Sequence, residues 1–487
     1  MGRAVKFPSY IQPIKFPVFG ISRCIAPPSS SAATHTINSI VALCGGGGSA
    51  RTGVGNQITI NFGESQGIKV SLENSYQKSI TIFTGDQTPI AVCCTIVQNH
   101  WWVLAAIGDS IQLYGAPLAS VNQDHGEDVK VVKGTNKGDD GDSRYLLAKK
   151  ALPNCTNMEG AACVDISLSK QYCVTGTDRG DIYVHSIRPL PTESDTSLTF
   201  EFHQIAALAK QHERAVCSVT FHPFAEDVCI SSAKDGTARV WDISAQTCSH
   251  VLKCLPHLMN DPNPPPAKKL KVGQVLVRGC GFDHSGNVYT VTSGRRGAAF
   301  CSKWSLGQKN DVTELKRVLI SVNPVSAMKM SGDTKTLVLG NVDGDILVVS
   351  TDNLSVVKTF PNVHDLPITA ITSRPPSMDM SKNDAKVDAW CDFDAISASA
   401  DNKLAFLSRK TKPLSWFFIE VCLAVLVVLL SIMYTSYSIC QTELLQIVFN
   451  PSSDIDSYND VNHTYKECMI GSVLAPEGTP GLAFIPH

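Results

Sequence analysis

The sequence predicts an all-β fold, a seven-bladed β-propeller, followed by one transmembrane α-helix. Three observations carry that expectation. A three-strand unit with a turn between its second and third strands recurs through most of the chain. The sharpest copy ends in Trp241-Asp242, the dipeptide that closes a WD-repeat blade. Near the C-terminus lies a run of 20 uncharged, mostly apolar residues.

The sharpest blade begins at His212. Val216–Pro223 and Val228–Ala233 read as its first two strands, Lys234-Asp235-Gly236-Thr237 as the turn, and Ala238–Asp242 as the third strand. A His, a turn Asp, a strand Ser or Thr and the Trp then form a buried hydrogen-bonded set. Here that set is His212, Asp235, Ser231 or Ser232, and Trp241, with a structural job. Weaker copies begin at Cys163, Gly279, Val325 and Ile368, and two more fit at about 80–115 and 38–63. At about 40–45 residues per repeat, seven blades fit within residues 1–412. The stretch Ile14–Ser22 is strand-like but has no blade of its own, so it is expected to close the ring as the outer strand of the last blade. Residues 121–151 and 255–271 interrupt the period with polar, Gly- and Pro-rich sequence and read as solvated loops.

Residues 416–440 are expected to form the membrane helix. Val421–Cys440 is uncharged, and Trp416, Phe417 and Phe418 suit the interface. Twenty residues at about 1.5 Å each match a hydrocarbon core of about 30 Å. Arg409, Lys410 and Lys412 precede the run, and the next basic residue is Lys466. The excess of positive charge on cytosolic flanks places the propeller in the cytosol and the tail 441–487 in a lumenal or extracellular space. The sequon Asn462-His463-Thr464 lies in that tail, making Asn462 a glycosylation candidate.

The bulk composition narrows the function. Hydrophobic residues make up 43% and charged residues 18% of 487, with a net charge of −2. No basic excess points to nucleic acid. The 17 cysteines are scattered through strand-like segments without a framework, as expected of reduced thiols in a cytosolic domain. The N-terminus has no basic and apolar pattern of a secretory signal. His212, Cys217, His222 and Cys229 do not have the spacing of zinc ligands. Lys268-Lys269-Leu270-Lys271 reads as a solvated loop, and neither a Gly-x-Ser-x-Gly elbow nor a His-Glu-x-x-His helix is present. An enzyme is not expected.

One segment breaks the repeat pattern. Between strands at Ser39–Leu43 and Gln57–Phe62 lie Cys44, Gly45, Gly46, Gly47, Gly48, Ser49, Ala50, Arg51, Thr52, Gly53, Val54, Gly55 and Asn56. Hairpins need only about two to five linking residues. A phosphate loop would need Lys where Val54 stands, and a helix where a strand follows. A flexible linker remains open, and so does a structured loop whose carbonyls gather on a cation or whose surface meets a partner.

The order Phe16-Pro17-Val18-Phe19-Gly20, a strand, Gly45–Gly48 leading to Gly53-Val54-Gly55-Asn56-Gln57-Ile58, a WD propeller, a membrane helix and a lumenal tail resembles one family. It is the Sec-twelve/PREB family of endoplasmic-reticulum guanine nucleotide exchange factors, which act on the Sar-type small GTPase of COPII vesicle formation. The resemblance implies an exchange loop at 44–56, with Asn56 as its key residue and Val54 as an apolar contact at its tip. It also implies a potassium ion on loop backbone carbonyls, with the individual ligands undefined. The GTPase partner would be engaged in its GDP-bound and nucleotide-free forms, and the protein would be a single-pass type II protein of the endoplasmic-reticulum membrane. A different class remains beside it: a membrane-tethered propeller scaffold or receptor without exchange activity.

Overall fold

A computed structural model describes residues 9–25, 37–48, 53–64, 78–97, 99–123, 145–153, 155, 160–190, 200–208, 211–254, 275–294, 297–308, 311–373, 395–407 and 416–449. The chain divides into two compact units, Met1–Arg409 and Lys410–His487. The first holds seven four-stranded antiparallel sheets, the blades of a propeller. Blade 1 spans 18–83, blade 2 89–151, blade 3 161–208, blade 4 216–253, blade 5 275–321, blade 6 325–360, and blade 7 368–407.

Stacking explains why the middle strands read as unbroken apolar runs. Thr336–Asn341 and Ala395–Ser399 are buried along their whole length, because a neighbouring blade covers each face. Seven hydrophobic clusters fill the seven junctions between successive blades. The last of them joins Phe16, Val18 and Leu43 to Ile396, Leu404 and Phe406, sealing blade 1 on blade 7.

Every inner strand carries a β-bulge near its start, between residues 18/20, 89/91, 161/163, 216/218, 277/279, 325/327 and 368/370. A bulge sharpens local twist and frees one residue from the ladder. In two blades the freed residue is a hydroxyl that reaches the next blade. Ser326 donates to the Ile368 carbonyl at 2.6 Å and Thr369 to the Val18 carbonyl at 2.6 Å.

The N-terminus closes the ring, but not with the stretch expected. Ser9–Pro13 pairs with Lys403–Leu407 as the outer strand of blade 7. The expected closing stretch Ile14–Ser22 is divided instead: its second half belongs to Val18–Ile25, the inner strand of blade 1. Pro13 has no N–H to donate, which an edge strand tolerates. Gly20 lets the inner strand pass blade 2 closely, since a Cβ there would sit 2.9 Å from the Ile90 carbonyl oxygen.

The expected loop 121–151 is also corrected at both ends. Val121 is buried on the helix Leu118–Gln123, and Leu146–Ala151 is the outer strand of blade 2. Residues 255–271, the tail 450–487 and Asn462 lie outside the described residues.

The second unit contains the helix Trp416–Phe449. Its described side chains run from residue 423 to 439, and Leu423, Val427, Leu429, Ile432 and Met433 are all more than half exposed. Thr435 folds its hydroxyl back onto the Ser431 and Ile432 carbonyls at 3.0 and 2.9 Å. Among the described residues no helix is long and apolar enough to cross a membrane.

Candidate partner-binding loop

The glycine-rich link joins the second strand of blade 1, Ile37–Gly45, to its third, Gln57–Glu64. Residues 45–48 and 53–56 are described; Ser49, Ala50, Arg51 and Thr52 lie outside the described residues. Both arms of the loop are firmly held. Gly46 N–H donates to the Pro17 carbonyl at 3.1 Å. A Cβ on Gly45 would lie 1.9 Å from that same oxygen, so no other residue fits.

Asn56 is the clasp. It is 4% exposed, and its amide points inward. Its Oδ1 accepts from the Gly48 N–H at 3.0 Å and from the Thr88 hydroxyl at 3.1 Å. Its Nδ2 donates to the carbonyls of Gly48 at 3.3 Å and Gly85 at 3.1 Å. The side chain thus pairs with Gly48 as a neighbouring strand would, donating and accepting at one residue. Its own carbonyl accepts from Thr84 N–H at 3.0 Å. Residues 84–88 form the turn from blade 1 to blade 2, so the loop is tied to an element outside its hairpin.

Beyond Gly45, backbone angles favour glycine at three places. Gly46 has φ 145°, Gly48 φ 73° and Gly53 φ 78°, conformations that L side chains rarely adopt. A Cβ on Gly46 would also strike the Asn56 Cα at 2.6 Å. Gly53 and Gly55 are exposed, and Phe83 lies against Gly55. No structural requirement for glycine emerges at Gly47.

Val54 departs from its expected role. It is half-buried and packs on the cluster that joins blades 1 and 7, beside Ile14 and Ala370. It braces the loop's second arm against the propeller and does not stand free at a tip.

The potassium expectation calls for neutral backbone oxygens, which suit a large monovalent cation and not zinc. The Asn56 Oδ1 is not among the donors, since its two hydrogen bonds occupy it, and the Gly48 carbonyl is engaged by Asn56. Among the described residues no three His, Cys, Asp or Glu side chains gather as a metal site.

The second expected constellation assembles as a blade network. His212 Nε2 is 2.8 Å from the Ser231 hydroxyl, and its Nδ1 is 2.9 Å from Asp235. Trp241 Nε1 donates to the same Ser231 oxygen at 2.8 Å. Ser231, not Ser232, is the strand partner. Burial pushes the Asp235 carboxyl up, but hydrogen bonds and attraction from His212 and hydrogen bonds from Thr237 outweigh it and hold it at about 2. All four members are interior, so the set stiffens the blade and meets no ligand.

Blade 7 repeats the arrangement with a gap. His364 lies 2.9 Å from Ser397 and 3.1 Å from Asp401. Leu407 stands where the Trp would be, six residues after the Asp. The signal was in the spacing: Ser231-x-x-x-Asp235 and Ser397-x-x-x-Asp401, each with a His four residues before an inner strand.

Cys93, Cys254 and Cys301 are among the described cysteines that carry free thiols. Burial pushes the thiols up, to about 12 at Cys93, Cys254 and Cys301, so they stay neutral and pack as small apolar groups. His185 is fully buried among Tyr183 and Phe202, and neither ring nitrogen has a hydrogen-bond partner. Burial, with the nearby Lys150, lowers its pKa to about 4.

No protein-family model matches the chain, and no curated protein matches it significantly.

Proposed function

We propose that the chain is a guanine nucleotide exchange factor that promotes GDP release from a Sar-type small GTPase at the endoplasmic-reticulum membrane, initiating COPII assembly for transport to the Golgi. The observation that carries this reading is that the glycine-rich loop is built rather than slack. Its arms are pinned to Pro17, to the propeller cluster and to the 84–88 turn, with the Asn56 amide at the centre. A solvated linker has no need of a buried amide with four hydrogen bonds.

Exchange needs no bond-making. A GTPase holds its nucleotide through phosphate, magnesium and ordered switch segments. A surface that binds the nucleotide-free form more tightly weakens nucleotide affinity by the same factor. A rigid propeller gives the loop a fixed base from which to press on the switches, and ordering it in advance spares the entropy of ordering it in the complex. On this account Asn56 works through the loop's shape, and the partner meets the loop's surface. Potassium would sit on backbone carbonyls of the 45–56 loop, where it would add a local positive charge and further order.

The helix Trp416–Phe449 is proposed as the tether. The uncharged run Val421–Cys440 within it suits lipid or protein around it, and the Thr435 hydroxyl, bonded back to its own helix, suits an apolar surrounding. With basic residues before it, the propeller is cytosolic and 441–487 lumenal.

The test uses the full chain in detergent micelles and a Sar-type GTPase loaded with fluorescent GDP. Release accelerated by the wild type and lost with Asn56→Ala supports the reading. Unaccelerated release, from a GTPase shown active by magnesium chelation, leaves the tethered scaffold.

A further inference from the structure

The exchange loop is gripped from outside its own hairpin, and one side chain of the neighbouring turn supplies the grip. We propose that Thr88 is a positioning residue for the exchange loop, acting through Asn56. This rests on the exchange reading above.

The 84–88 turn is closed on itself by the Thr84 hydroxyl, which donates to the Gln87 carbonyl at 2.8 Å. Three of its residues then hold Asn56: Thr84 N–H on the backbone carbonyl, the Gly85 carbonyl on Nδ2, and the Thr88 hydroxyl on Oδ1. An amide side chain can flip, exchanging oxygen for nitrogen. Here a flip would turn Nδ2 toward the Gly48 N–H, donor against donor, and Oδ1 toward the Gly85 carbonyl. The Gly48 N–H and the Gly85 carbonyl thus set the amide's orientation, and the Thr88 hydroxyl ties its oxygen to the start of blade 2.

The Thr88 backbone is itself fixed. Pro89 follows it and restricts its conformation to the extended region. Pro89 is buried at the start of the blade 2 inner strand, paired with Ile107. The hydroxyl is therefore delivered from a rigid element of blade 2 onto a loop of blade 1. The loop's shape depends on the junction between two blades, a dependence that hairpin sequence alone does not encode.

The test compares Thr88→Val, which keeps the shape without the hydroxyl, with Thr88→Ser, which keeps the hydroxyl. Full-length protein in detergent micelles is assayed for GDP release across GTPase concentrations, and for amide hydrogen exchange of residues 44–56. Thr88→Val is expected to lower the maximal release rate about fivefold, as for one uncharged hydrogen bond, with little change in the half-saturating GTPase concentration. Its loop amides exchange faster, Thr88→Ser restores both readouts, and Thr88→Val adds nothing to Asn56→Ala because the two share one network. Wild-type release by Thr88→Val, or losses that multiply in the double variant, would overturn the proposal. If the wild type releases no nucleotide, the exchange reading fails on its own and the amide data decide positioning. Faster loop exchange in Thr88→Val but not Thr88→Ser keeps it, and unchanged exchange ends it.

Discussion

The His212 network of blade 4 and the Asn56 clasp of blade 1 are both buried polar clusters, yet they hold different things. His212, Asp235, Ser231 and Trp241 bind strands to each other inside one blade. Asn56 binds a projecting loop to a turn that leads into the next blade. The first serves the stability of the whole propeller. The second serves the shape of a surface loop and adds little to the core around it. Similar hydrogen bonds therefore predict opposite consequences on removal.

The largest effect belongs to blade 4. Trp241→Ala removes a fully buried ring and its bond to Ser231, and is expected to cost about 3–5 kcal/mol in denaturant unfolding. A cost below about 1 kcal/mol would break the comparison. Next comes Asn56→Ala, expected to slow GDP release at least about tenfold, or about 1.4 kcal/mol, while the melting midpoint stays close to wild type. A large fall in melting would make the clasp a core element like the blade network.

Acid sharpens the contrast. His185 has its pKa depressed from 6.5 to about 4 by burial, so the unfolded chain takes up the proton first. Its contribution is full above about 6.5 and is lost as pH falls toward about 4. His185→Leu is expected to flatten that loss in denaturant titrations at pH 7 and pH 5, with unchanged release at pH 7. Asp235, held at about 2, supports the fold above about 4 and withdraws that support as pH falls toward about 2. The smallest effect is expected from replacing potassium with a large organic cation, lowering release while leaving the melting midpoint in place. Equal release in both salts would remove the ion from the account.

Much of the fold was legible because repeats advertise themselves. The seven blades follow from recurrent strands and turns, and the blade 4 network from its residue types. The closing strand was misplaced because edge strands bury little: Ile11 is 44% exposed, whereas the inner strand at Val18 is fully buried behind an unremarkable Gly-Ile-Ser-Arg sequence. The glycine loop was visible as a violation of the period. Its mechanics were not, since Thr88 and Gly85 lie 32 and 29 residues from Asn56 and meet it only across a blade junction. Val54 reads as a tip residue in sequence and packs as a brace in space.

The most direct test sets the two regions side by side. GDP release from a Sar-type GTPase is measured with wild type, Asn56→Ala and His212→Ala, each normalised to its folded fraction. The account predicts that folded Asn56→Ala has lost release, while the folded fraction of His212→Ala, though it melts early, releases at the wild-type rate. Release by Asn56→Ala at the wild-type rate, or a loss that merely follows its unfolding, would contradict it.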